Sequence, residues 1–178
     1  MPESALESFE RTIVPLLDDA YTHARHHVRD EHDAQDVVQE AYLRAWRHYA
    51  GFRGGDGRAW LLTIVRNCCY TWRRSERHAR GAVEYDDEAH GGHEQSPAAA
   101  TDARVAEDDD RAELRRALDQ LQPEFREAIV LREIEGMSYK EIGRVTGAPI
   151  GTVMSRLSRA RQRLQEALRI GRGAREAS

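Results

Sequence analysis

Cysteine is scarce in this 178-residue chain: Cys68 and Cys69 are the two, and they are neighbours. Adjacent thiols do not readily bridge each other and no CxxC pair exists, so neither a disulfide framework nor a zinc finger is indicated. Long apolar runs are missing as well. Ala59-Trp60-Leu61-Leu62 is among the longest, far short of the ~20 residues that span a bilayer, so no membrane insertion is expected. No basic, apolar, small-residue leader precedes the first helical pattern, which leads to the expectation of a cytoplasmic protein. There is no strand signal and no convincing internal repeat. There is also no HExxH, paired-carboxylate constellation, phosphate-cradling glycine loop or nucleophile elbow, so no enzyme, metal or cofactor is expected.

What is present is charge, unevenly spread. The net charge of −4 argues at first against a nucleic-acid binder. Between Glu84 and Asp110, however, ten acids face Arg104 alone, a local net of −9. Between Ser138 and Arg172 eight bases face Glu141 and Glu166, a net of +6. The stretch from Arg53 to Arg80 is basic too, with seven arginines against Asp56 and Glu76. Two basic segments flank an acidic one, and the average hides both.

Apolar spacing divides the chain the same way. Leu6, Phe9, Ile13, Leu16, Leu17, Ala20, Tyr21 and Ala24 recur at helical intervals, with Pro15 predicting a break and a place in the first turn of the main helix. Asp33 can cap a second helix carrying Val37, Val38, Ala41, Tyr42, Ala45, Trp46 and Tyr49 on one face and ending near Gly51. Phe52 to Gly57 reads as a loop. Leu61, Val65, Cys68 and Trp72 mark a third helix. From about Arg80 to Asp110 the period disappears, which suggests a flexible linker. It returns with Leu114, Leu118 and Leu121, and Pro123 can open a helix that Gly136 ends. Ser138 starts a short helix with Tyr139, Ile142 and Val145. Thr146-Gly147-Ala148 is a tight turn, and Pro149 opens a last helix with Val153, Leu157, Ala160 and Leu164. The expected fold is all-α: an N-terminal helical bundle and a C-terminal four-helix helix-turn-helix domain, joined by a flexible acidic linker.

Ser138 to Ala160 meets specific physical requirements for a helix-turn-helix. The second helix must pack by one face and leave the other free for the major groove. Val153 and Leu157 can face inward. Gly143 offers no side chain where the helices approach, and Gly147 permits the turn. Thr152, Ser155, Arg156, Ser158 and Arg159 form an outward set suited to phosphates and base edges. An ordinary basic amphipathic helix with solvated arginines is the plainer alternative.

Leu121–Ala128, Gly136–Gly143 and Gly151–Leu157 together closely resemble the promoter −35 reading domain of the extracytoplasmic-function sigma factors, a group of the bacterial RNA polymerase sigma-70 family. Asp33–Trp46 resembles the same family's N-terminal domain at the face that binds the polymerase clamp. Phe52-Arg53-Gly54, Ala59-Trp60-Leu61 and Ile64–Asn67 are similar to its −10 reading loop and helix. The resemblance covers both ordered ends in the family's order and leaves the linker unmatched.

The resemblance implies a region 2-like domain over residues 1–79, an acidic linker over 80–110, a region 4-like domain over 111–172 and a tail over 173–178. It implies that Asp36, Gln39, Glu40 and Arg44 bind core polymerase. Phe52, Arg53, Arg66, Asn67, Arg73 and Arg74 would meet −10 DNA, with Phe52, Arg53 and Asn67 capturing an unpaired base. Lys140, Thr152, Met154, Ser155, Arg156, Ser158 and Arg159 would meet the −35 duplex. The partners implied are core RNA polymerase, promoter DNA and an anti-sigma factor. The glycine-rich Gly54-Gly55-Asp56-Gly57 departs from a family that reads its −10 bases from this loop. A helix-turn-helix regulator acting without polymerase is the alternative reading. Cys68 is expected in the core with Cys69 partly exposed, His23 and His27 as ordinary residues rather than metal ligands, and Trp46, Trp60 and Trp72 as core.

Overall fold

The computed structural model describes residues 4–28, 30–79 and 102–176, with residues 102–109 and 171–176 described as backbone alone. The fold is all-α, with no strand among the described residues. The helices are α1 (Ala5–Thr12), α2 (Leu17–His27), α3 (Glu31–His48), α4 (Gly57–Ala79), α5 (Asp102–Asp119), α6 (Pro123–Ile129), α7 (Tyr139–Thr146) and α8 (Ile150–Glu176). Most of the segment expected as a linker lies outside the described residues. Its last part does not: α5 begins at Asp102, where alanines favour helix and acids near the N-terminus suit the helix dipole.

The chain divides into two compact units, Met1–Glu84 with Val130–Val153, and Tyr85–Ile129 with Met154–Ser178. In the first, α2, α3 and α4 pack pairwise. Ile13, Ala20, Ala24, Ala34, Val37, Val38, Ala41, Ala45, Leu61 and Val65 fill the space between them. Each fully buried leucine or valine contributes about 1.5–3 kcal/mol. Pro15 sits in a 3₁₀ turn, Val14–Leu16, just before α2. Its ring cannot supply the N–H that a continuous helix needs. The cap of α3 is Asp30, not Asp33: the Asp30 carboxylate accepts from the N–H groups of His32 and Asp33. Cys69 is fully buried rather than partly exposed, because α4 is covered by both α2 and α3 and hides more than one stripe. Trp46 is 44% exposed, against expectation, its ring in a T-shaped pair with that of Phe9, centres 5.2 Å apart. Trp60 and Trp72 do pack against the core. His23 is fully buried, its ring 4.7 Å from that of His27. Burial, helped by the charges of His26, Arg66 and Arg58, pushes its pKa down to about 3 and keeps the ring neutral.

The Val130–Val153 segment of this unit starts with a π turn, Val130–Ile134, whose wider spacing continues in the Glu135 N–H to Val130 O bond of 3.0 Å. Gly136, at φ +65°, ends it. α7 packs on α4. In the second unit, Arg126 ties α6 to the end of α5 by donating to the carbonyls of Leu118 (2.9 Å) and Asp119 (2.7 Å). The Arg163 guanidinium of α8 lies 5.0 Å from the centre of the Phe125 ring.

Candidate nucleic-acid interface

The loop before α4 turns on Gly54 and Gly55, at φ +82° and +95°, a region that glycine occupies without strain. Asp56 then caps α4, its carboxylate accepting from the Ala59 N–H at 2.9 Å. Loop and helix enclose an open groove of about 340 Å³. Phe52 and Trp60, with ring centres 5.0 Å apart, form its aromatic wall. Arg53, Thr63 and Arg144 supply polar edges. An aromatic wall with nearby donors is the chemistry an unpaired base requires. Of the residues expected to meet −10 DNA, Phe52 and Arg53 line this groove. Asn67 and Arg74 are exposed further along α4, and Arg66 and Arg73 are half-buried there. Arg66 stacks over the Tyr70 ring at 4.7 Å. Trp60 and Thr63 were not singled out from the sequence as groove residues. The signal for them is spacing: Trp60, Thr63 and Asn67 follow each other at three and four residues, one stripe of a helix.

On α3, Asp36 and Gln39 are exposed, and Glu40 and Arg44 are half-exposed. Glu40 and Arg44 pair with each other, Arg44 Nε donating to Glu40 Oε1 at 2.6 Å. That hydrogen bond and the nearby charges hold the Arg44 pKa above its ordinary value. Leu43, 48% exposed, and Trp46 continue the same stripe. Leu43 was not singled out from the sequence, and Trp46 was expected in the core. An apolar stripe in water beside polar partners is typical of a surface that binds another protein.

In α7, Ser138 and Glu141 form a reciprocal capping box, Ser138 N–H to Glu141 Oε2 at 2.6 Å and Glu141 N–H to Ser138 Oγ at 3.3 Å. These bonds lower the Glu141 pKa. Gly147, at φ +69°, closes the helix in the left-handed region. A Cβ on Gly143 would come 2.9 Å from the Ala148 carbonyl oxygen, so no side chain fits there without the turn shifting. α8 buries Val153, Leu157 and Ala160 and leaves a polar face. On that face Met154, Ser155, Ser158 and Arg159 are exposed and Thr152 and Arg156 half-exposed; Lys140 on α7 is exposed as well.

Arg58 was not singled out from the sequence. Its guanidinium donates to Asp19 Oδ2 at 2.5 Å, to the Glu135 carbonyl oxygen at 2.7 Å and to Glu135 Oε2 at 2.7 Å. The Glu135 side chain is 2% exposed. Burial pushes its pKa up to about 7; Arg58 pulls the other way, and Asp19 adds to the rise. Arg144 on α7 reaches Asp56 at 3.7 Å.

A capped helix, a left-handed glycine turn and an arginine-bearing helix define a helix-turn-helix protein, here preceded by a helical bundle with an aromatic groove. Comparison with known proteins narrows this. The family description Sigma-70 region 2 matches residues 13–79, and Sigma-70, region 4 matches residues 111–164. The chain is 34% identical over 168 residues to the ECF RNA polymerase sigma factor SigE of Mycolicibacterium smegmatis, covering 93% of this chain and 63% of that protein. It is 34% identical over 146 residues to the RNA polymerase sigma-H factor of Pseudomonas aeruginosa, covering 79% of this chain and 76% of that protein. Against the ECF RNA polymerase sigma-E factor of Escherichia coli the identity is 34% over 140 residues, covering 73% and 71%. Among solved structures, the sigma factor RpoE in complex with the anti-sigma factor NepR from Bartonella quintana aligns with TM-score 0.71 and 30% identity, over 92% of this chain and 98% of that one. CnrH in complex with the cytosolic domain of CnrY aligns with TM-score 0.64 and 28% identity, over 93% and 90%. The chain belongs to the extracytoplasmic-function group of the sigma-70 family. Sigma factors are not enzymes. No helix among the described residues is long and apolar enough to cross a membrane.

Proposed function

We propose that this chain binds core RNA polymerase and directs promoter-specific initiation in the cytoplasm. Its domains are taken as residues 1–79 and 111–172, joined by 80–110. Asp36, Gln39, Glu40 and Arg44 on α3 meet the polymerase, and Leu43 and Trp46 join them as the apolar centre of that contact. Phe52 and Arg53 hold an unpaired −10 base in the groove before α4, with Asn67 and the arginines Arg66, Arg73 and Arg74 guiding the strand along the helix. Lys140, Thr152, Met154, Ser155, Arg156, Ser158 and Arg159 meet the −35 duplex. The single observation that carries this reading is that both regions of the family occur in order, each with a polar set along one helix face. An anti-sigma factor is the expected controlling partner, because one of the similar solved structures is bound to one and another to the cytosolic domain of a second protein.

Run-off transcription with purified core polymerase on a fragmented genomic library tests the proposal. Defined transcripts that start only when the protein is added support it, and their start sites give the promoter motif. Absence of transcripts, together with absence of a complex with core polymerase on a sizing column, refutes it.

A further inference from the structure

We infer that Ile150, together with Met154, reads thymine methyl groups, and that this apolar pair at the tip of α8 sets part of the promoter specificity. The inference rests on the proposed reading of α8 as the helix that meets the −35 duplex. Ile150 itself was not singled out from the sequence. Three observations carry it.

The first is exposure. α8 is one continuous helix, and it buries Val153 and Leu157 almost completely, at 1% and 0%. Ile150 and Met154 stand out in water beside them, at 49% and 53%. The second is position. Ile150 is the first residue of α8 and Met154 lies one turn on, about 40° away around the axis. In a helix-turn-helix it is the N-terminal residues of the second helix that face base edges. The third is the arrangement around them. Gly151, Ser155 and Ser158 follow at four and three residues along the middle of the solvent face, and a Cβ on Gly151 would meet nothing within 4 Å. No side chain larger than serine stands there to hold the helix off the floor of a groove. Thr152, Arg156 and Arg159 take the far flank, and Ile150 and Met154 the near one. The face is therefore lopsided, cationic on one side and apolar on the other. The arginines suit phosphates and guanine. An aliphatic side chain can do neither job: it has no donor or acceptor. In the major groove the apolar group on offer is the C5 methyl of thymine. Opposite cytosine the same side chain would cover an amino group and leave it unpaired, so the pair rejects as well as selects. Ile150 is stiff at χ1 and fixes the distance, while the unbranched Met154 can adjust to it.

The test uses the full chain assembled with core polymerase on a promoter fragment found by run-off transcription. Deoxyuridine replaces thymidine in the −35 element of one fragment and outside the promoter elements of a control. This removes the methyl and keeps every hydrogen-bonding edge. Binding is read by fluorescence anisotropy. The uracil-substituted −35 element should bind about fourfold more weakly for each methyl contacted, and the control should bind as the natural fragment does. The double variant Ile150→Ala with Met154→Ala should bind the two −35 elements equally. It should fold, since both side chains face water and alanine is a good helix former; its circular dichroism spectrum checks this. Arg156→Ala should weaken binding to both elements and keep their ratio. Equal binding of the thymine and uracil elements by the unaltered protein overturns the inference, as does a −35 element with no thymine on either strand. A ratio that persists in the double variant assigns the methyls to other residues and overturns the role of Ile150 and Met154. If no fragment is transcribed or bound at all, the sigma-factor reading itself fails and takes the inference with it.

Discussion

Alanine at Gly143 and alanine at Gly151 should shift stability in opposite directions, although both replace a helical glycine. At Gly151 an added Cβ meets nothing within 4 Å, so the change brings only the backbone-entropy gain of alanine over glycine, up to about 1 kcal/mol. At Gly143 the same atom lands 2.9 Å from the Ala148 carbonyl oxygen. That oxygen belongs to main chain that cannot swing away, since the Ala148 N–H donates to the Gly143 oxygen at 3.1 Å. Overpacking of this kind costs about 1–3 kcal/mol. Set against the full propensity gain, a net loss of up to about 2 kcal/mol is expected. Gly147→Ala separates a third cause: nothing crowds its Cβ, but φ is +69°, and alanine there costs about 1–2 kcal/mol in backbone strain alone. Urea unfolding of the three variants, with amide exchange read in α7, measures all three values. If Gly143→Ala is as stable as Gly151→Ala, the close approach of turn and helix has slack, and steric crowding does not explain the glycine at position 143.

Arg156→Ala and Arg159→Ala should each weaken duplex binding by about 1–3 kcal/mol if the arginine reads a guanine. A phosphate contact would instead lower the salt slope by roughly one; filter binding across a salt series separates the two. Leu43→Ala should weaken binding to core polymerase by roughly 1 kcal/mol or more, and Gln39→Ala by less, with little effect on folding because both side chains face water; surface plasmon resonance against immobilised core measures each. Burial raises the Glu135 pKa from its ordinary 4.5 to about 7, outweighing the pull of Arg58. The folded protein therefore holds a proton that the unfolded chain releases, and this contribution to stability should fall as pH rises from 4.5 to about 7 and level off above that. Urea midpoints at about pH 5.5 and about pH 7.5 measure the change, and Glu135→Gln should remove it.

Local pattern made much of this molecule legible. The apolar stripes of α3, α4 and α8, the Ser138 cap and the Gly147 turn are all consequences of near neighbours in sequence, and they stand where the spacing put them. The failures are of two kinds. Trp46 and Leu43 show that a stripe bare to solvent has the same spacing as a stripe against a core, so periodicity alone cannot assign its partner. Asp30, which caps α3, was hidden because the first turn, Glu31-His32-Asp33, is polar all round and carries no apolar period to mark where the helix begins. The Arg58 cluster and the π turn had no local signal at all: the first joins residues far apart in sequence, and the second uses residues that would also make an ordinary helix.

Cys68 and Cys69, 4% and 0% exposed among the side chains between α2, α3 and α4, turn the three-helix core into its own clock. A thiol reagent cannot reach them while the helices are together, and burial raises the Cys68 pKa, which further slows reaction. At high reagent concentration, labelling then proceeds no faster than the core comes apart. The native protein therefore records its own unfolding lifetime in the mass shift of two adjacent residues, with no engineered probe and no denaturant.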